Sequence, residues 1–204
     1  MQGQTGNISL GRRKLTKAET EQFKQLILDK AEALFATQGY EVVSLRAIAG
    51  QVGCSPMTLY RYFDNKQDLF DTIRCLAFER FAAEQEAAAA SASDPMEKIR
   101  ALGIVYSRFA DEHPNAFRLM FELQQSADPS PRLQEAGRQS FNAIRRATAE
   151  AIEAGVLSGD ADSMAHLFWT SLHGVVTLDL AGKLIHGRNK KDLLETMFNQ
   201  RPSP

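Results

Sequence analysis

The sequence predicts an all-α protein of about nine helices, and three observations carry that expectation. Apolar residues recur at three- and four-residue steps along almost all of the 204 residues. No run alternates apolar and polar residues for long enough to demand a strand. Capping side chains, prolines and glycines fall where helices of ordinary length would start and stop.

Taken in order, the first helix opens at Thr16, where Thr16 and Glu19 have the spacing of a capping box, and closes at Gly39. Phe23, Ile27, Ala31, Leu34 and Phe35 give it one apolar stripe. Ser44 caps a short helix carrying Leu45, Ile48, Ala49 and Val52, and Gly53 stops it. Ser55 caps again, Pro56 sits at the first helical position, and a second short helix follows to Phe63. Two short capped helices around a Gly-containing turn have the form of a helix-turn-helix. Asn65 caps the next helix, with Leu69, Phe70, Ile73, Leu76 and Ala77 inward, running to about Ala83 or beyond. Ala87 to Pro95 is small and polar, so a connection is expected there. Further helices start at Pro95, Pro114, near Pro131, at Asp160 and at Asn189, with Gly155, Gly159 and Gly187 as punctuation. The expected organisation is a basic arm over residues 1–15, a helix-turn-helix domain over 16–83 and a larger helical domain over 84–204.

Composition narrows the function classes. Whole-chain disorder is excluded by the 44% of apolar residues. The net charge of −1 does not by itself announce a nucleic-acid binder, but it averages unlike parts. Residues 1–80 hold 11 Lys or Arg against 9 Asp or Glu, and residues 81–204 hold 13 against 16. The arm contributes Arg12, Arg13 and Lys14, followed by Lys17, which can reach phosphates or a minor groove. Met1 to Leu10 has no apolar core of signal-peptide length, and Leu167 to Leu184 is interrupted by Ser171, His173, Asp179 and Lys183. The expectation is a cytoplasmic protein without a membrane partner. Cys54 and Cys75 have neither a C-x-x-C pair nor a His cluster beside them, which argues against a disulfide framework or zinc.

The residues that point to chemistry lie in the second short helix. Leu59 and Phe63, four apart, anchor it on the core, leaving Ser55, Met57, Thr58, Arg61 and Tyr62 outward. Hydroxyls and Arg suit phosphates and base edges, and an apolar side chain suits the thymine methyl. Tyr60 and Tyr62 supply phenolic donors for backbone phosphates, and Ser44 and Lys66 flank the helix at two helix N-termini. Arg46, in the first turn of the first short helix, completes the candidate set.

At this point the strings L-R-A-I-A-G-Q-V-G-C-S-P-M-T-L-Y-R-Y-F-D-N-K-Q-D-L-F (Leu45 to Phe70) and A-x-x-L-F-x-x-x-G-Y (Ala31 to Tyr40) resemble the tetracycline-repressor (TetR) family of bacterial regulators. Downstream, Tyr106 to Phe121 and W-T-S-L-H-G (Trp169 to Gly174) resemble the effector domain of the family's Trp-His-Gly subgroup. The resemblance implies an N-terminal DNA-binding domain joined to an all-α domain that dimerises and binds a small molecule. By position, it implies Ser44 on a phosphate, Ser55, Met57, Thr58 and Arg61 in the groove, and Tyr60, Tyr62 and Lys66 on the backbone. The family often has Gly where this chain has Met57, which leaves the operator sequence open. The last two long helices, residues 161–199, are implied to form the dimer interface.

Within the larger domain, the expected pocket residues for a largely apolar effector are Phe109, Phe117, Met120, Phe121, Phe141, Met164, Phe168, Trp169 and His173. Trp169, His173, Gly174, Leu193 and Met197 are the expected dimer contacts. A metal site can be drawn through Asp162, His166 and His173, but further ligands are not indicated, so neither metal nor cofactor is expected. There is no G-x-S-x-G elbow, phosphate-cradling Gly loop or paired-carboxylate site, so no catalysis is expected. The expected function is a homodimeric regulator, a repressor, holding a double-stranded palindromic operator and released by its effector. The alternative is a DNA-bound factor whose second domain docks a protein without a small-molecule switch.

Overall fold

The computed structural model describes residues 16–121 and 129–199, and the basic arm lies outside the described residues. Among the described residues there are nine helices and no strand: α1 (Lys17–Gln38), α2 (Leu45–Val52), α3 (Pro56–Leu59), α4 (Lys66–Ser91), α5 (Pro95–Glu112), α6 (Pro114–Phe121), α7 (Pro131–Glu153), α8 (Ala161–Leu180) and α9 (Lys190–Asn199).

Local chemistry accounts for the starts. Thr16 and Glu19 form the reciprocal capping box at α1, so two orphan backbone donors are satisfied at once. Ser44, Asp94, Ser130 and Asp160 each accept a hydrogen bond from a backbone N–H in the first turn of α2, α5, α7 and α8. Asn65 and Asn189 do the same for α4 and α9. Two expectations are corrected. The Ala-rich stretch from Ala87 continues α4 to Ser91, because alanine is the strongest helix former, so the expected connection shrinks to residues 92–94. The helix-turn-helix's second helix is α-helical only over Pro56–Leu59. Beyond it Arg61 and Tyr62 bond back three residues, to Thr58 and Leu59, and continue the segment as a tighter turn.

The chain divides into two compact units, Met1–Ile73 and Arg74–Pro204. The division falls inside α4, which runs without a break through it. In the first unit, Phe23, Ile27, Ala31 and Phe35 of α1 are buried with Ile48, Ala49, Leu59, Phe63, Leu69 and Phe70. Each large side chain there contributes roughly 1.5–3 kcal/mol of hydrophobic stabilisation. In the second unit, Phe81, Tyr106, Phe109, Phe117 and Val176 belong to one buried cluster, and Ile99, Leu102, Ala147, Ala151 and Phe198 to another. Lys190 ties α9 down by ion pairs to Asp111 of α5 (2.6 Å) and Asp179 of α8 (2.8 Å).

Candidate functional site

The first unit builds a helix-turn-helix from α2, a three-residue turn and α3. Gly53 has φ 78° and ψ 33°, the left-handed conformation that closes α2, and its N–H and that of Cys54 both donate to Ala49 O. Pro56 then starts α3 with φ already set. Leu59 and Phe63 are buried at 0% and 3%, which fixes the opposite face outward. Met57 (72% exposed) and Tyr60 (52%) stand in solvent, and Arg61, Ser55, Ser44 and Arg46 are exposed as well.

The hydroxyls here already have partners. Ser55 leaves the backbone uncapped and its Oγ lies 3.0 Å from Thr58 Oγ1, so one hydroxyl donates to the other. Ser44 Oγ accepts from Ala47 N. Tyr62 is half-buried, its ring 5.6 Å from that of Phe23, which leaves the phenol end as the part free to reach outward. Lys66 is half-buried as well. Its ammonium donates to Tyr40 O at 2.8 Å and Glu41 O at 3.5 Å and sits 4.2 Å over the Tyr40 ring. It thereby holds the turn after α1 against the start of α4, with Tyr40 packed on Phe70 at 4.8 Å. Burial pushes the Cys54 thiol above its ordinary pKa, the opposite of a thiolate poised for redox chemistry.

The second unit holds a partly open cavity of about 660 Å³. Four helices wall it at helical spacing: Phe78, Phe81 and Gln85 on α4; Ile99, Leu102, Gly103 and Tyr106 on α5; Gly137, Ser140, Phe141 and Ile144 on α7; His166, Phe168, Trp169 and Leu172 on α8. Phe198 of α9, with Met120 and Phe121 of α6, completes the lining. Of the residues expected from sequence, Met120, Phe121, Phe141, Phe168 and Trp169 line it. Phe109 and Phe117 are instead buried in the core, at 0% and 1% exposure. Met164 packs beside Gly159. His173 Nδ1 lies 2.7 Å from Tyr106 Oη, with the His173 ring stacked at 5.9 Å on Phe117. The α4 residues escaped the sequence reading, although Gln85 standing seven residues after Phe78 on an apolar face was a visible signal.

The expected dimer contacts are spread differently. Trp169 faces the cavity, His173 is engaged by Tyr106, and Met197 packs against both clusters. Leu193 and Gly174 are half-buried. The exposed apolar side chains of this region are Leu167, Leu178, Leu180 and Ile185. Asp162 pairs with Arg145, and His166 Nδ1 donates to Asp162 O, so the residues drawn as a metal site are committed elsewhere.

Residues 27–73 match the family model described as bacterial regulatory proteins, tetR family, and residues 99–200 match the tetracyclin repressor-like C-terminal domain. The chain belongs to the TetR family. Among TetR relatives, the repressor KstR of Mycolicibacterium smegmatis is 30% identical over 115 residues, 56% of either chain. That match spans about half of the repressor's length. A protein of unknown function from Rhodococcus sp. RHA1 superposes with TM-score 0.75 at 27% identity, covering 86% of this chain and 91% of that one. The TetR fold is shared with the regulator FadR of Bacillus subtilis, solved with stearoyl-CoA, at TM-score 0.73 and 19% identity, covering 86% and 94%. Members of the family regulate transcription and are not enzymes. Among the described residues, no helix is long and apolar enough to cross a membrane.

Proposed function

We propose that this TetR-family protein is a cytoplasmic homodimeric repressor that binds a palindromic operator and releases it when a largely apolar small molecule fills the second unit's cavity. The observation that carries the reading is the pairing, in one chain, of an outward helix-turn-helix face with an apolar cavity of about 660 Å³. Met57, Arg61, Ser55 and Thr58 read base edges, and Ser44, Arg46, Tyr60, Tyr62 and Lys66 contact phosphates. Lys66 gives two of its three protons to backbone carbonyls, which hold the turn at Tyr40 in place, and keeps the third for a phosphate.

The two recognition segments of a dimer must lie about 34–36 Å apart to enter successive major grooves. An effector that prefers another spacing weakens operator binding through its differential affinity, typically 1–3 kcal/mol of coupling. Leu167, Gly174 and Leu178 on one face of α8, with Ile185, supply the apolar surface a second copy would cover. The FadR relative's stearoyl-CoA supports a lipid-like effector in kind, and the cavity favours an effector over a docked protein.

The test is selection of bound duplexes from a randomised pool, followed by binding to the selected duplex with and without apolar small molecules. A palindromic consensus and ligand-dependent release are expected. Binding without sequence preference would sink the reading, and release by no small molecule would favour the protein-docking alternative.

A further inference from the structure

We infer that the cavity's ligand is an uncharged, mainly apolar molecule carrying a hydroxyl that hydrogen-bonds Gln85. This rests on the reading of the cavity as an effector site. Gln85 lines the cavity, is 4% exposed, and its Oε1 accepts no hydrogen bond from any described residue. The other buried polar groups of the wall are engaged: Ser140 Oγ donates to Gly137 O at 2.9 Å, and Tyr106 Oη meets His173 Nδ1 at 2.7 Å. Gln85 is therefore the one buried lining side chain described here with an open polar valence.

Charge is absent from the buried wall. The charged lining residues are exposed and neutralised locally, Glu135 by Arg138 and Arg145 by Asp162. A carboxylate or ammonium drawn inside would lose its hydration without gaining a counter-charge. A carboxylate also has no proton for Oε1. A hydroxyl donates to Oε1 and can equally accept from Nε2, so it satisfies the amide in either orientation without bringing charge. The surrounding Phe78, Phe81, Phe141, Phe168 and Trp169 accommodate the rest of the molecule as hydrocarbon.

Trp169 is the only tryptophan of the chain and lies in the wall, so its fluorescence reads occupancy directly. The full chain and its Gln85→Leu variant are titrated with decan-1-ol, 1-chlorononane, decanoate and decylammonium. Wild type is expected to bind decan-1-ol at least tenfold more tightly than either ion. Gln85→Leu is expected to lose about tenfold for decan-1-ol while 1-chlorononane is unchanged. Preference of wild type for either ion overturns the proposal alone, as does a Gln85→Leu variant that keeps its alcohol affinity or loses both neutral probes equally. Failure of all four probes to bind wild type overturns the effector reading and this proposal with it. Gln85→Met, closer in shape, serves if the Leu variant does not fold, and the wild-type ranking decides between neutral and charged ligands in any case.

Discussion

Gly103 of α5 and Phe198 of α9 pack so closely that a Cβ on the glycine would lie 2.1 Å from Phe198 Cζ. The missing side chain is what lets α9 seat an aromatic ring in the cavity wall. Gly103→Ala is expected to cost about 1–3 kcal/mol through overpacking, measured by urea unfolding. Adding Phe198→Ala should then cost less than the sum of the two single changes, because the ring that clashes is gone. Strict additivity would show that the contact is not made.

On the recognition face, Arg61→Ala and Met57→Ala should change which duplexes are selected, whereas Tyr60→Phe should weaken all duplexes alike. The reasoning follows exposure: Met57 and Arg61 present groups suited to base edges, and Tyr60 a phenol suited to a phosphate. An unchanged consensus in both groove variants would remove them from the reading surface. Losses for Arg61 are expected at about 1–3 kcal/mol on its preferred base.

Lys66→Met keeps the aliphatic stem but loses the hydrogen bond to Tyr40 O and the ammonium over the Tyr40 ring. Unfolding free energy should fall by about 1–2 kcal/mol. Operator affinity should fall across all sequences, since the turn that Lys66 holds has loosened. Wild-type stability in this variant would return Lys66 to a purely phosphate-facing role.

Lys190 gives a pH signature. Burial alone would lower its pKa, but hydrogen bonds and charge from Asp111 and Asp179 outweigh that and raise it. A raised pKa means that the folded state holds the proton more tightly. The stabilisation is therefore fully present below the unfolded lysine value of about 10.4 and lost as pH rises through the higher folded value. Lys190→Met should be less stable than wild type by roughly 1 kcal/mol near pH 8, and the two should converge as pH rises through the raised folded value. A difference that does not change with pH would assign the effect to packing of the stem.

Much of this was legible in sequence because helix starts are local events. Thr16, Ser44, Asp94, Ser130 and Asp160 reach N–H groups only two or three residues away, so spacing alone reveals them. The outward face of the recognition segment was legible for the same reason, since Leu59 and Phe63 fix it. The extension of α4 through Ala87 to Ser91 was missed because small residues were read as a link when their propensity is helical. The cavity was half-read: periodicity marks a face as apolar but cannot say whether a neighbour fills the space beside it. Phe109 and Phe117 became core, while Gln85 and Gly103 entered the wall beside residues far along the chain, such as Ser140 and Phe198. Lys66 looked free because nothing in the sequence shows a carbonyl 26 residues earlier waiting for it.

The chain order of the walls has a consequence for biosynthesis. Lining residues begin at Phe78 and end at Phe198, so every residue up to Phe198 must emerge from the ribosome before the cavity can close. Until then, the faces of α4, α5, α7 and α8 expose aromatic side chains to solvent, where unpaired apolar surface invites chaperones or aggregation. The helix-turn-helix lies in the first compact unit, whose residues up to Ile73 all precede the lining residues in the chain. Mutations that slow the docking of α9 should therefore lower soluble yield more than they lower the equilibrium stability of the finished protein.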